Sequence, residues 1–278
     1  MKHKIKQIFC IICSMVLMIP CTTMAAENQA SSYNEKINYL HEKGIEESIL
    51  QELSEKCIDD IYQKVIEKYH GDVQISSQIV EIDDQQDSSE RANINKANLR
   101  FTAVLNNYIH PSTGDILGCD IALSYEWLNT PTTTGPDAIT INWDPTYFHC
   151  TEGYGFSSHN YSINTTTGNK EFFNFSNTPA LINKGGVGWY VNLLNPNISE
   201  ELQSNYGGGA MVNFEPNYTF RPEDYIITNF TILYTQNKTS QTDALSIIAD
   251  NNGVKAEGES IDTLRTIIRY NSSIQTET

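Results

Sequence analysis

LRFTAVLNNYIHPSTGDILGCDIALSYEW, residues 99–127, is the stretch that decides the fold. From Leu99 to Leu105 every second residue is apolar, and the same alternation returns from Cys119 to Trp127. Successive side chains of a β-strand point to opposite faces, so a period of two indicates strands. Turn-forming residues at 111–115 separate the two segments. The stretch therefore predicts an antiparallel hairpin with one apolar face.

The same alternation continues to residue 271, in short segments separated by turns rich in Gly, Pro, Asn and Thr. Many short strands with regular turns are typical of an antiparallel β-sandwich, and a β-barrel is the alternative. We therefore assign residues 98–271 to one mainly β domain and residues 272–278 to a tail.

Residues 33–70 have a helical period instead. Apolar residues recur mostly at every fourth position from Ile45 to Tyr69, and charged residues occupy the positions between them. Gly44 separates this stretch from a shorter helix before it. The pattern predicts a short N-terminal helical hairpin that docks its apolar stripe on the β domain. Contact of that stripe with a partner protein is the alternative.

Residues 71–97 differ from both neighbouring regions. Gln, Ser, Asp and Asn dominate them, and they contain no aromatic residue. We interpret this stretch as a polar, acidic linker or loop, with one short strand from Val73 to Ile82 as an option.

The first 25 residues have the organisation of an export signal. Three lysines precede a mostly apolar run at residues 8–19, and small residues lead to a cleavage point after Ala25. The run is too short to span a bilayer. We therefore expect residues 1–25 to be a signal peptide, and the mature protein to be secreted, extracellular and without a membrane span. A lipoprotein modified at Cys21 and an uncleaved anchor are the alternatives.

The chain is strongly acidic. Its 278 residues contain 18 Lys and Arg against 34 Asp and Glu, for a formal charge of −16. Loss of the first 25 residues removes three lysines and no acids, which leaves 15 cationic against 34 anionic residues and a charge of −19. This excludes a nucleic-acid partner, which requires a basic surface. Hydration of the surface explains the acids most simply, and calcium binding is the alternative.

Three cysteines remain after the predicted cleavage. Cys57 falls on the apolar side of the predicted second helix, whereas Cys119 and Cys150 lie in strand-like segments. A disulfide between Cys119 and Cys150 and two free thiols are both consistent with this placement. The sequence has no Cys-x-x-Cys or His-Glu-x-x-His motif, so we predict no metal site and no cofactor.

The segment from Asp144 to His159 has the composition of a functional loop. It combines aromatic, acidic and histidine side chains with turn-forming residues. The candidate binding residues are Trp143, Tyr147, His149, Tyr154 and His159. Aromatic rings beside polar groups are typical of glycan sites, although aromatics that alternate along strands more often belong to a core.

These features predict a secreted binding or interaction protein that is not an enzyme, with a glycan or a protein as its ligand. We assign no catalytic residue. A secreted hydrolase that uses a histidine and a carboxylate of the Asp144–His159 loop is the alternative. A membrane-inserting toxin is disfavoured, because Thr228–Tyr234 is too short for a lipid-facing hairpin.

Overall fold

The computed structural model describes residues 32–80, 94, 98–131, 133–150, 156–221, 224, 226–239, 245–250 and 253–272. The predicted signal peptide, most of the predicted linker, Tyr154 and the tail beyond residue 272 lie outside these ranges. The described chain is mostly β, with short N-terminal helices and antiparallel sheets that do not close into a barrel. The predicted β-sandwich is thus confirmed over the barrel alternative.

In the part of the chain that the structure describes, three helices precede the sheets. They span residues 32–42 (α1), Glu47–Glu52 (α2) and Glu55–Glu67 (α3). The second helix, predicted as continuous, is broken at Leu53 and Ser54, both of which have extended backbone angles. The Ser54 hydroxyl accepts a hydrogen bond of 3.2 Å from the backbone N–H of Cys57 and so caps α3. The apolar stripe continues across the break, which is why spacing alone did not indicate it.

The strands alternate with turns from residue 74 onward. In chain order they are β1 (Gln74–Val80), β2 (Leu99–Ile109), β3 (Ile116–Trp127), β4 (Asp137–Asn142), β5 (Phe148–Cys150), β6 (Phe156–Asn164), β7 (Lys170–Ser176), β8 (Leu181–Asn183), β9 (Gly186–Val191), β10 (Gln203–Pro216), β11 (Ile227–Asn237), β12 (Leu245–Asp250), β13 (Gly253–Gly258) and β14 (Ile261–Asn271). A short 3-10 helix, Glu200–Leu202, precedes β10. The first of these strands, β1, falls in the stretch interpreted as a linker.

Two antiparallel sheets form the sandwich. The first has seven strands in the order β1-β2-β3-β10-β6-β7, with β5 paired to the end of β10. The second has five, in the order β14-β11-β4-β9-β8. Strands β12 and β13 form a separate hairpin. The predicted hairpin of residues 99–127 is formed by β2 and β3, which pair from Leu99 with Trp127 to Ile109 with Ile116.

An aromatic core lies between the two sheets. Phe148 of β5 is fully buried there, and its ring centroid lies 4.9–6.4 Å from those of four other rings. These rings belong to Phe214, Phe220, Phe230 and Tyr270. The apolar face of the β2–β3 hairpin contributes to the same core. Burial of these side chains supplies most of the favourable free energy for closing the sandwich.

The helices cover the outer face of the first sheet, and we call α1 to α3 the helical cap. Ile58, Ile61 and Val65 of α3 are fully buried against outward-facing residues of the sheet, among them Val104 and Ala122. The apolar stripe of the helices therefore meets the protein's own sheet.

The β12–β13 hairpin covers part of the outer face of the second sheet. A Cβ atom at Gly188 of β9 would lie 2.8 Å from the Ile247 side chain and 3.0 Å from that of Val254. Glycine at this position therefore allows the hairpin to approach the sheet closely.

Cys119 and Cys150 are not joined by a disulfide. Both pair with Phe214, Cys119 from β3 and Cys150 from β5, and so lie on opposite sides of β10. Two strand spacings separate them by about 10 Å, whereas bridged Cα atoms lie roughly 4.4–6.8 Å apart. The disulfide considered from the sequence is thus excluded by the register of these strands.

We expect a purified chain that begins after the predicted cleavage point at residue 25 to contain three titratable thiols when it is unfolded without reductant. In the folded protein Cys57 should react slowly, because burial raises its pKa to about 12. Ellman titration with and without denaturant measures both quantities. A single thiol in the unfolded chain would contradict the strand register.

Candidate functional site

Trp143 and Tyr147 contribute to the core of the sandwich. The Trp143 side chain is buried, its indole N–H donates a hydrogen bond of 3.1 Å to the Phe148 carbonyl, and its ring packs on Phe214. Tyr147 is partly buried against the same core. Their alternation with polar residues reflects packing, so these two residues do not present an open aromatic platform.

His149 is exposed and contacts the end of β10. Its Nδ1 atom lies 2.7 Å from Asn217 Oδ1, and its Nε2 atom lies 3.6 Å from Glu215 Oε2. Asp144 instead accepts a hydrogen bond of 2.8 Å from the backbone N–H of Thr146, which closes a local turn. The carboxylate beside His149 is thus Glu215, which the loop composition did not indicate.

His159 lies in a different environment. It is 1 % exposed on β6, with its ring close to those of Phe172 and Phe175. Burial, aided by the charges of Lys56 and Lys170, lowers its pKa to about 4, so the ring is neutral at physiological pH. Its Nε2 atom has no hydrogen-bond partner in the described part of the chain.

The structure does not bring His149 and His159 together. His149 pairs with Glu215 and His159 with Gly209 along β10, six positions apart and therefore separated by roughly 20 Å. A shared acid–base pair of these two histidines is not formed. Tyr154 lies outside the described residues.

The large aromatic side chains that are exposed in the described ranges do not form one row. They are Phe175 on β7, Tyr190 on β9 and Tyr218 after β10. Since β7 and β9 belong to different sheets, these rings do not make a continuous stacking surface.

A cleft of about 160 Å³ lies between the helical cap and the outer face of the first sheet, and we call it the cap–sheet cleft. Its lining is mostly polar. The lining residues are Gln51, Glu52, Leu53, Ser54, Arg100, Thr102, Ser124, Tyr125, Glu126, Tyr161 and Lys170.

Small residues on the sheet leave room for this cleft. Ser124 of β3 pairs with Gly209 of β10, and a Cβ atom at the neighbouring Gly207 would collide with the Tyr161 ring. The break between α2 and α3 supplies the opposite wall, because Ser54 lies at that junction. Glycine at position 207 thus leaves space for the Tyr161 ring, which lines the cleft.

The charges in the cap–sheet cleft balance. Arg100 and Glu126 form an ion pair of 3.1 Å, and the Lys170 ammonium lies 3.9 Å from the centroid of the Tyr161 ring. Glu52 is the second acid, so two cations face two acids. Burial raises the pKa of Tyr161 to about 12, which keeps its phenol protonated as a hydrogen-bond donor.

Sequence reasoning missed this site, although its signal was present. Arg100, Thr102, Ser124 and Glu126 form the polar face of the predicted β2–β3 hairpin, a face that a sandwich normally exposes to solvent. Only the position of the helical cap turns part of that face into a cleft.

Two buried groups make stability depend on pH in opposite directions. Asp137 accepts hydrogen bonds from the Tyr234 hydroxyl (2.7 Å) and the Asn237 backbone N–H (2.9 Å), but burial outweighs them and raises its pKa to about 7. Its contribution to stability is therefore complete below about pH 4 and is lost as the pH rises towards 7. The lowered pKa of His159 has the opposite effect on stability. The contribution of its neutral ring to stability is lost as the pH falls from about 6.5 to 4.

We expect Asp137→Asn to remove the first effect and His159→Gln the second. Relative to wild type, the unfolding free energy of Asp137→Asn should rise with pH, by up to about 1.4 kcal/mol per unit. Relative to wild type, the unfolding free energy of His159→Gln should fall as the pH rises. Urea unfolding at about pH 4.5 and about pH 6.5 measures both, and equal slopes in all three proteins would contradict the assignment.

In the described ranges no helix is both long and apolar enough to cross a bilayer. Within the same residues, no three His, Cys, Asp or Glu side chains are grouped so that they could hold a metal ion.

Comparison with known proteins does not identify a family. No family model matches the chain, and no curated protein matches it. Among solved structures it has a likeness to AvmM, described as catalysing macrocyclization in alchivemycin A biosynthesis, with 10% identity over 73% of this chain and 91% of that one. The TM-score is 0.25, so this likeness carries no argument about fold or activity.

Proposed function

We propose that this chain is a secreted, non-enzymatic binding protein whose cap–sheet cleft takes one sugar unit of a neutral glycan. The observation that carries the proposal is the lining of the cleft, in which hydroxyl, amide and balanced charged groups lie beside two tyrosines, Tyr125 and Tyr161. Sugars are recognised by such sets of hydrogen-bond donors and acceptors beside an aromatic ring. Secretion rests on the organisation of the first 25 residues.

The size of the cleft supports a small ligand group. Its volume of about 160 Å³ is below the roughly 300–1,000 Å³ typical of sites that enclose a whole small molecule. A terminal sugar of a longer chain fits this description, with the rest of the glycan in solvent.

Charge favours a neutral glycan. The cleft itself is balanced, whereas the predicted mature chain has a net charge of −19. That charge repels acidic polymers at a distance, and the cleft has no excess of cations to compensate.

A glycan array tests this proposal. The purified mature protein should bind neutral oligosaccharides, and Arg100→Ala/Lys170→Ala should bind them at least about tenfold more weakly, which corresponds to roughly 1.4 kcal/mol. Arg269→Ala is the matched control, because Arg269 is an exposed residue of β14 on the other sheet.

Three outcomes would overturn the proposal. The first is an array without any bound glycan, and the second is equal binding by wild type and the double variant. The third is turnover of the bound glycan, which would favour the hydrolase alternative.

A further inference from the structure

Three reactive side chains meet beneath the helical cap, away from the cap–sheet cleft. Lys64 extends from α3 to the outer face of the first sheet, where Asp120 of β3 and Asn213 of β10 are direct cross-strand neighbours. The Lys64 Nζ atom lies 2.5 Å from Asn213 Oδ1 and 3.2 Å from Asp120 Oδ2. The amine thus contacts both an amide and a carboxyl group.

The environment of Lys64 shifts its protonation equilibrium towards the neutral amine. Its side chain is only 7 % exposed, and its Nζ atom lies 4.0 Å from the centroid of the Tyr108 ring. Tyr69 stacks on Tyr108 at 4.9 Å and extends this apolar surrounding. Burial lowers the pKa of Lys64, against the opposing effect of Asp120. An unprotonated amine is a nucleophile, whereas an ammonium ion is not.

Asp120 is held in the position of a proton carrier. Its side chain is fully buried, its Oδ1 atom accepts a hydrogen bond of 2.7 Å from the Asn106 amide, and Oδ2 accepts one from the Tyr108 hydroxyl. These bonds fix the carboxyl group beside both the Lys64 amine and the Asn213 amide. A carboxyl group at this position can take a proton from one and give it to the other.

We propose that Lys64 and Asn213 form an intramolecular isopeptide bond. The Lys64 amine attacks the side-chain carbonyl carbon of Asn213, so that a bond forms between Nζ and Cγ. The bond between Cγ and Nδ2 then breaks, and the amide nitrogen leaves as ammonia. Asp120 accepts the proton that the amine loses and returns it to the leaving nitrogen. The step needs no oxidant, reductant or cofactor.

The bond would join the helical cap to the central strand of the first sheet. It would close a covalent loop between residues that are 149 positions apart. A long loop is where a covalent link most restricts the unfolded chain. The described cysteines provide no such link, since Cys57, Cys119 and Cys150 are not in disulfides.

Mass spectrometry of the mature protein tests the proposal. Under denaturing, reducing conditions the chain should be lighter than its calculated mass by one ammonia. A protease digest should contain a branched peptide that joins the segment with Lys64 to the segment with Asn213. The branched peptide is needed, because a succinimide at an asparagine has the same mass loss.

The variants separate the roles of the three residues. Lys64→Arg, Asn213→Ala and Asp120→Asn should all have the full calculated mass. Lys68→Met is the matched control and should still lose ammonia, because the ammonium group of Lys68 forms an exposed ion pair with Glu215. Full mass for wild type would overturn the proposal whether or not the variants fold. Loss of water would overturn it too, because that would place the bond on Asp120.

Discussion

Replacing Lys64 with methionine is expected to lower the free energy of unfolding by about 3–5 kcal/mol. The reason is the position of Asp120, which is fully buried and lies 3.2 Å from the Nζ atom of Lys64. Without Lys64 its carboxylate keeps hydrogen bonds from Asn106 and Tyr108 but loses the Lys64 nitrogen as its third partner. A buried charge whose partner has been removed costs far more than an exposed pair contributes. Urea unfolding followed by circular dichroism measures the change.

Two further variants isolate the buried charge. Lys68→Met should cost less than about 1 kcal/mol, because Lys68 and Glu215 are 41% and 37% exposed. Lys64→Met/Asp120→Asn should be more stable than Lys64→Met, since it no longer buries an unpaired carboxylate. Both Lys64 variants lack the proposed isopeptide bond, so this comparison does not depend on it. Equal losses for Lys64→Met and Lys68→Met would contradict the burial of the first pair.

Replacing Phe148 with alanine is expected to cost about 3–5 kcal/mol. Phe148 is fully buried between the sheets and contacts four aromatic rings, so truncation leaves a cavity that the strands of both sheets cannot easily fill. Thermal and urea unfolding measure the loss.

The matched control for this variant is Phe175→Ala. The Phe175 side chain is 61% exposed on β7, so its removal should change the unfolding free energy by less than about 1 kcal/mol. A small effect of Phe148→Ala, comparable to that of Phe175→Ala, would contradict a shared core between the two sheets.

The sandwich could be predicted because its strongest signal is local. Alternation in β2 and β3 identifies both strands, their turn and the face that enters the core, and the structure confirms these features. The helix break at Leu53 and Ser54 could not be predicted in the same way. An apolar stripe indicates which residues are buried, but it does not indicate where one helix ends and the next begins in a different direction.

The polar residues of the cap–sheet cleft are visible in the sequence, but their meeting in one site could not be predicted, for a different reason. Arg100 and Tyr161 lie on β2 and β6, which are neighbours only through β3 and β10. Whether these two residues lie near each other depends on strand order, and the alternation of apolar residues within a strand does not indicate strand order. The same is true of Lys64 and Asn213, which only the docking of α3 brings together.

The candidate residues in and beside the Asp144–His159 loop rest on composition, and composition does not separate core from surface. Trp143 proved to be a core residue, His149 an exposed partner of Glu215, and His159 a buried neutral ring. Aromatic and histidine side chains occur in all three settings, so only burial and contacts distinguish them.

Hydrogen–deuterium exchange with and without the best-bound neutral glycan of the array tests the proposed site most directly. Slower exchange on glycan addition is expected in residues 51–54, 100–102 and 124–126 and around Tyr161 and Lys170, because these segments contribute the lining of the cap–sheet cleft. Protection centred on residues 144–150 instead, with no change at the cleft, would contradict the proposed site.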